Sequence, residues 1–190
     1  MSKIDLDLTS KVNIEAQKAN SFELDMEIKN EDGSNYNFQN QILVFTIYDS
    51  DNTVLKILTS DGIIPFYLNN ESNNAPVIEV TQFARALSNL LDCDLDSFVY
   101  RDNWEEFVYA LNVPLLNGSM GGAPIIINGS NAKIHIPYLT MHLNQGSFKY
   151  DIKIVSDLTD VYDINSNKID AYFKNSSTWM SGKFTIVLSE

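Results

Sequence analysis

From Ser21 to Lys29 apolar and charged residues alternate without a break: Phe22, Leu24, Met26 and Ile28 fall on one side, Glu23, Asp25, Glu27 and Lys29 on the other. Successive side chains of a strand point to opposite faces, so this run demands a β-strand with one dry face and one wet face. The pattern returns at Phe148, Tyr150, Ile152 and Ile154, set against Lys149, Asp151 and Lys153, and again in the final run Lys183 to Leu188 after Gly182. A half-buried strand cannot stand alone, so the chain must build at least one sheet with a covered face.

The stretches between these runs supply further strands. Glu31-Asp32-Gly33-Ser34 carries turn chemistry, and Tyr36 and Phe38 lead into the apolar run Ile42 to Tyr48, which reads as a central strand. Asp49-Ser50-Asp51-Asn52 separates it from Thr53 to Thr59, and the pair reads as a hairpin. Ile63 to Leu68 reads as an edge strand, because Pro65 cannot donate to a ladder. Strand character resumes at Ile125-Ile126-Ile127 and continues through a mixed stretch around Pro137. Ile164, Ile169, Ala171 and Phe173 mark one short strand or a pair of them.

Helical spacing occurs only in the middle of the chain. Phe83, Ala84, Leu87, Leu90 and Leu91 share one helix face, with Thr81 available as N-cap. A second short helix is expected beyond it, where Asn103 and Glu106 have the spacing of a capping box and Trp104, Phe107 and Leu111 form a stripe ahead of Pro114. Seven or more short strands at roughly eight-to-twelve-residue spacing, with one helical interruption, predict a mainly β fold. The expectation is an antiparallel Ig-like β-sandwich with a short helical insertion, a single domain over residues 1–190. Residues 1–20 would form an N-terminal arm and about 63–124 an insertion containing two short helices. The sandwich proper would comprise 21–62 and 125–190.

Composition narrows the function. Against 25 acidic residues stand 13 Lys and Arg, a net charge of -12, so phosphate backbones and anionic bilayers are repelled and no nucleic acid or membrane partner is expected. No stretch approaches the roughly 18 consecutive apolar residues of a spanning helix, and Met1 to Ser10 has no signal-peptide apolar core, so a soluble protein is expected. The single cysteine, Cys93, excludes an internal disulfide framework. Its neighbours Asp92 and Asp94 would raise the thiol pKa, which argues against a nucleophile.

The motifs carry little chemistry. Asp92, Asp94 and Asp96 open like a calcium loop, but Ser97 and Asn103 stand where glycine and a bidentate glutamate are required. His135 and His142 lie seven apart, on opposite faces of any continuous strand. Gly118-Ser119-Met120-Gly121-Gly122 lacks the Gly-Lys-Ser/Thr ending of a phosphate loop. No catalytic residue, metal site or cofactor is assigned, and an enzyme is not expected. The aromatics Phe98, Tyr100, Trp104 and Phe107 crowd one stretch outside the sandwich strands. They either pack the insertion onto the sheet or form a partner-contact patch, since Trp and Tyr dominate interface hot spots.

Several short motifs resemble a known family. Ile4-Asp5-Leu6-Asp7-Leu8, Ser21-Phe22-Glu23-Leu24, Glu31-Asp32-Gly33-Ser34, Val54-Leu55-Lys56-Ile57-Leu58 followed by Asp61-Gly62, Gly146-Ser147-Phe148-Lys149-Tyr150-Asp151-Ile152 and Gly182-Lys183-Phe184-Thr185-Ile186 occur in order. Together they resemble tailed-phage virion structural β-sandwich modules, in particular the N-terminal domain of upper baseplate proteins and related tail or head-fibre attachment proteins. The resemblance covers residues 4–62 and 132–190, and 63–131 departs from it as an insertion. It implies a non-enzymatic virion component, made in the host bacterial cytoplasm, that assembles with other virion structural proteins and with copies of itself. The alternative is a carbohydrate- or receptor-binding module with Tyr100, Trp104 or Trp179 as a stacking platform.

Overall fold

The structure is a computed structural model that describes residues 10–18, 21–60, 66–69, 77–80, 82–93, 125–136, 143–163 and 168–188. In chain order the elements are β1 (Ser10–Lys11), β2 (Ile14–Gln17), β3 (Phe22–Glu27), β4 (Gln41–Tyr48), β5 (Val54–Thr59), β6 (Phe66–Asn69), β7 (Val77–Val80), α1 (Gln82–Leu91), β8 (Ile125–Asn128), β9 (Asn131–Ile136), β10 (Gly146–Asp163) and β11 (Lys168–Val187). One sheet runs β11-β10-β4-β5, with β1 and β2 along the free edge of β11; the second runs β3-β9-β8; β6 and β7 form a separate pair. The order β11-β10-β4-β5 facing β3-β9-β8 is that of an immunoglobulin variable-type sandwich, GFCC′ against BED. The helix and the β6–β7 pair fall in the connection between β5 and β8, so the expected helical insertion is present as α1.

The two sheets meet through the faces that the alternation assigned to the interior. Phe22, Met26 and Ile134 pack in one cluster with Leu43, Phe45, Ile47, Leu58, Ile152 and Phe184. The rings of Phe22 and Phe184 stand edge to face at 5.2 Å, and Phe45 lies 5.6 Å from Tyr150 and 6.1 Å from Phe184. These ring contacts join β3, β4, β10 and β11 across the core. Glu23, Asp25 and Glu27 remain in water, opposite His135, Lys133 and Asn131 of β9.

Strand β4 is buried on both faces, as a run that is apolar from Ile42 to Tyr48 except at Thr46 requires. Val44, Ile57 and Val155 are buried on the face that turns away from the second sheet. Helix α1 packs on β11, with Ala86, Leu87 and Leu91 buried. It ends at Asp92 in the left-handed conformation, φ 49°, and the Cys93 N–H then donates to the Ser88 carbonyl at 3.2 Å, a Schellman-type closure.

Three features differ from the sequence expectation. Gly182, expected to precede a final strand Lys183 to Leu188, instead lies inside a continuous β11 of 20 residues. Strand β10 runs on to Asp163, past its last β4 partner at Ser156. And the sandwich is not wholly antiparallel: β1 and β2 run parallel to β11, in the registers Ser10↔Met180 and Ile14↔Phe184. Residues 10–18 of the expected N-terminal arm therefore lie along the sandwich edge. The expected second helix and the patch Phe98, Tyr100, Trp104 and Phe107 lie outside the described residues.

Candidate partner-binding site

Beyond Ser156, β10 and β11 continue as a two-stranded ribbon with Leu158 opposite Phe173, Asp160 opposite Ala171 and Tyr162 opposite Ile169. The change begins at Asp157, which adopts φ 59° and accepts a hydrogen bond from the Asn175 side-chain amide. Asp tolerates the left-handed region better than most residues because its short polar side chain bonds locally.

The ribbon exposes apolar surface. Leu158 is 37% exposed, Val161 48%, Tyr162 57% and Tyr172 40%. On a ladder, Leu158 and Tyr162 share one face, and Val161 and Tyr172 are diagonal neighbours on the other. The ribbon is also braced. The Asn89 amide of α1 donates to the Ala171 carbonyl at 2.8 Å and to Asp170 Oδ1 at 3.1 Å, and Ala171 is buried. Burial alone would raise the Asp170 carboxyl, but the Ala171 N–H, the Tyr172 hydroxyl, the Asn89 amide and the Arg85 charge outweigh it and hold it below the usual carboxylate range. Asp170 thus stays an acceptor that ties helix and ribbon together.

A second polar locus lies on the outer face of the large sheet. A groove of about 470 Å³ is lined by Lys11, Tyr48, Asn52, Lys149, Asp151 and Ser181, among others. The Tyr48 hydroxyl donates to Asp151 Oδ2 at 3.1 Å, while Lys153 forms an ion pair with the same carboxylate and donates to the Tyr48 oxygen at 3.2 Å. Burial, and then the Asp151 charge, drive the phenol pKa well above its ordinary value, so it remains a neutral donor. The triplet holds β4 and β10 in register.

No group of three or more metal-ligating side chains occurs among the described residues. Of the calcium-like run, Asp92 is the helix-terminating residue, and Asp94 and Asp96 lie outside the described residues. His135 pairs through Nδ1 with Glu23 Oε1 at 3.0 Å on the wet face of the small sheet, where Lys133 also holds Glu23 at 2.9 Å. First the Lys133 bond and then the His135 bond lower the Glu23 pKa. Trp179, offered for sugar stacking, is half-buried against the core. Sequence reasoning missed Leu158, Val161, Tyr162 and Tyr172. The signal available was the density of Val, Thr and Tyr from 158 to 162, a strand composition interrupted by aspartates.

Comparison with known proteins adds little to this picture. No family model matches the chain, and no curated protein matches it. A solved structure of the extracellular domain of the voltage-gated sodium channel beta4 subunit, described as a parallel homodimer that explains a role in cell-cell adhesion, aligns over 95% of this chain and 93% of that one, at 11% identity and a TM-score of 0.28. No helix among the described residues is long and apolar enough to cross a membrane.

Proposed function

We propose that the protein is a non-enzymatic structural component of a tailed bacteriophage virion, in its baseplate, tail, collar or head-fibre attachment, that works by protein-protein assembly. The observation that carries the assembly role is the ribbon: four apolar side chains stand exposed on a strand pair held firm by α1. A braced strand pair with apolar side chains on both of its faces loses little conformational freedom on docking, which is what an assembly contact requires. The ribbon occupies the position of the F–G connection, which in variable-type sandwiches belongs to the binding end, and this supports the reading by fold-level analogy. The virion assignment is supported by the ordered motifs from Ile4 to Ile186. The net charge of -12 keeps unassembled copies apart and in solution.

The test is made on purified particles of the phage that encodes the chain. Mass spectrometry is expected to find the protein at a fixed copy number per particle. An antibody raised against residues 157–163 is expected to bind disrupted particles and not intact ones. Absence from particles overturns the virion reading; equal antibody binding to both overturns the ribbon as the contact.

A further inference from the structure

We infer that the free edge of β11 is a strand-acceptor site for residues 10–18, and that a second copy of this chain can supply that segment in exchange. The inference does not depend on the ribbon or on a virion role. The site recognises the segment mainly through its backbone. The Val12 N–H donates to the Ser181 carbonyl at 3.0 Å and the Lys18 N–H to the Val187 carbonyl at 2.7 Å, with parallel pairing between. At Val12 the carbonyl turns inward and accepts the Tyr150 hydroxyl at 2.7 Å, in the space that a Cβ on Gly182 would fill. The Lys183 N–H donates to the Asn13 side-chain oxygen at 3.3 Å.

Among the described side chains of the segment, two enter the core. Ile14 and Ala16 are buried, while Lys11, Val12, Glu15 and Gln17 are exposed. The acceptor therefore selects an extended strand with a large and then a small apolar residue two positions apart, and nothing in that recognition requires the strand to belong to the same chain. Exchange conserves every one of these contacts, which is why swapping identical elements is a low-cost route to association. Electrostatics permit it. Residues 1–18 carry Lys3, Lys11 and Lys18 against Asp5, Asp7 and Glu15, so the segment is neutral and the -12 lies on the rest of the chain. In dilute solution the tethered segment wins through its high effective concentration; copies packed side by side in an assembly present comparable concentrations of the untethered one.

The experiment uses the full chain in a Cys93→Ser background. One population carries Lys11→Cys and another Ser181→Cys, positions that pair in register. Neither can bridge its own 11 and 181 sites with a short bismaleimide. Mixed at high concentration after a mild urea pulse and refolding, the two are expected to yield a covalent heterodimer, and excess unmodified protein is expected to suppress it. A population with exposed Lys29→Cys in place of Ser181→Cys is the collision control. A chain carrying both Lys11→Cys and Ser181→Cys is expected to bridge internally when dilute, which verifies that the variants fold with the segment in place. No heterodimer, or a yield equal to that of the Lys29 control, overturns exchange; failure of the internal bridge overturns the acceptor site itself.

Discussion

The Val12 carbonyl oxygen occupies the space that a Cβ on Gly182 would need, and the Tyr150 hydroxyl bonds to that oxygen from the neighbouring strand. Glycine at 182 is thus a demand of close approach rather than of turn geometry. Gly182→Ala is expected to displace the 10–18 segment and to cost about 2 kcal/mol, in the range of overpacking changes. Urea denaturation measures the loss, and hydrogen exchange is expected to show amides 12–18 losing protection. Tyr150→Phe removes the bond alone, at about 1 kcal/mol. In the double variant the two costs are expected to fall short of their sum, because both act on the Val12 carbonyl.

Lys56 gives a pH dependence with a definite sign. Its side chain is 2% exposed on the inner face opposite Ile47, and burial lowers its pKa to about 8. The unfolded chain, with an ordinary lysine, holds the extra proton between pH 8 and 10.5, so stability rises with pH across that window. From pH 8 to 10 the gain is about 2 kcal/mol. Above pH 10 Tyr150, raised by burial to about 12, and Tyr48, raised further, oppose the rise, because the unfolded phenols ionise first. Chemical denaturation at fixed pH values tests this; in Lys56→Met the upward slope is expected to vanish.

Helix α1 closes on a residue that pays a conformational penalty. Asp92 sits in the left-handed region at the position where helices favour glycine. Asp92→Gly is expected to stabilise the protein by about 0.5 kcal/mol, since the gain in native-state ease outweighs the added freedom of the unfolded chain. A variant with unchanged or lower stability in thermal unfolding would contradict it.

Leu158 and Val161 are 37% and 48% exposed on the ribbon, so replacing them should separate assembly from folding. Leu158→Lys and Val161→Lys are each expected to change stability by less than about 0.5 kcal/mol. The same variants are expected to be excluded from particles that take up the unmodified protein. A variant that is both stable and fully incorporated would remove the ribbon from the contact.

Strands β3, β4 and β5 are legible because their burial follows local patterns: Phe22 and Met26 alternate with acids, and Ile42 to Tyr48 is apolar apart from Thr46. The continuity of β11 is not, because Gly182 and the polar stretch Asn175-Ser176-Ser177 look like punctuation until the crossing of Val12 is known. The parallel edge is also hidden. Among its described side chains the core contribution is Ile14 and Ala16, too short a signal for any periodicity. Lys56 is a charged residue within the strand Thr53 to Thr59, and its burial depends on packing that no local window contains. Of the candidate site, the sequence pointed to aromatics at 98–107, whereas the described surface offers Tyr162 and Tyr172, whose exposure follows from β10 outrunning its neighbour β4.

The pairing of Ser10 with Met180 has a consequence for synthesis. At about 5 to 20 residues per second, roughly 10 to 30 s separate the emergence of the two partners from a ribosome. Throughout that interval Ile14 and Ala16 have no β11 to cover them. On a polysome, the nearest completed β11 can belong to the chain ahead.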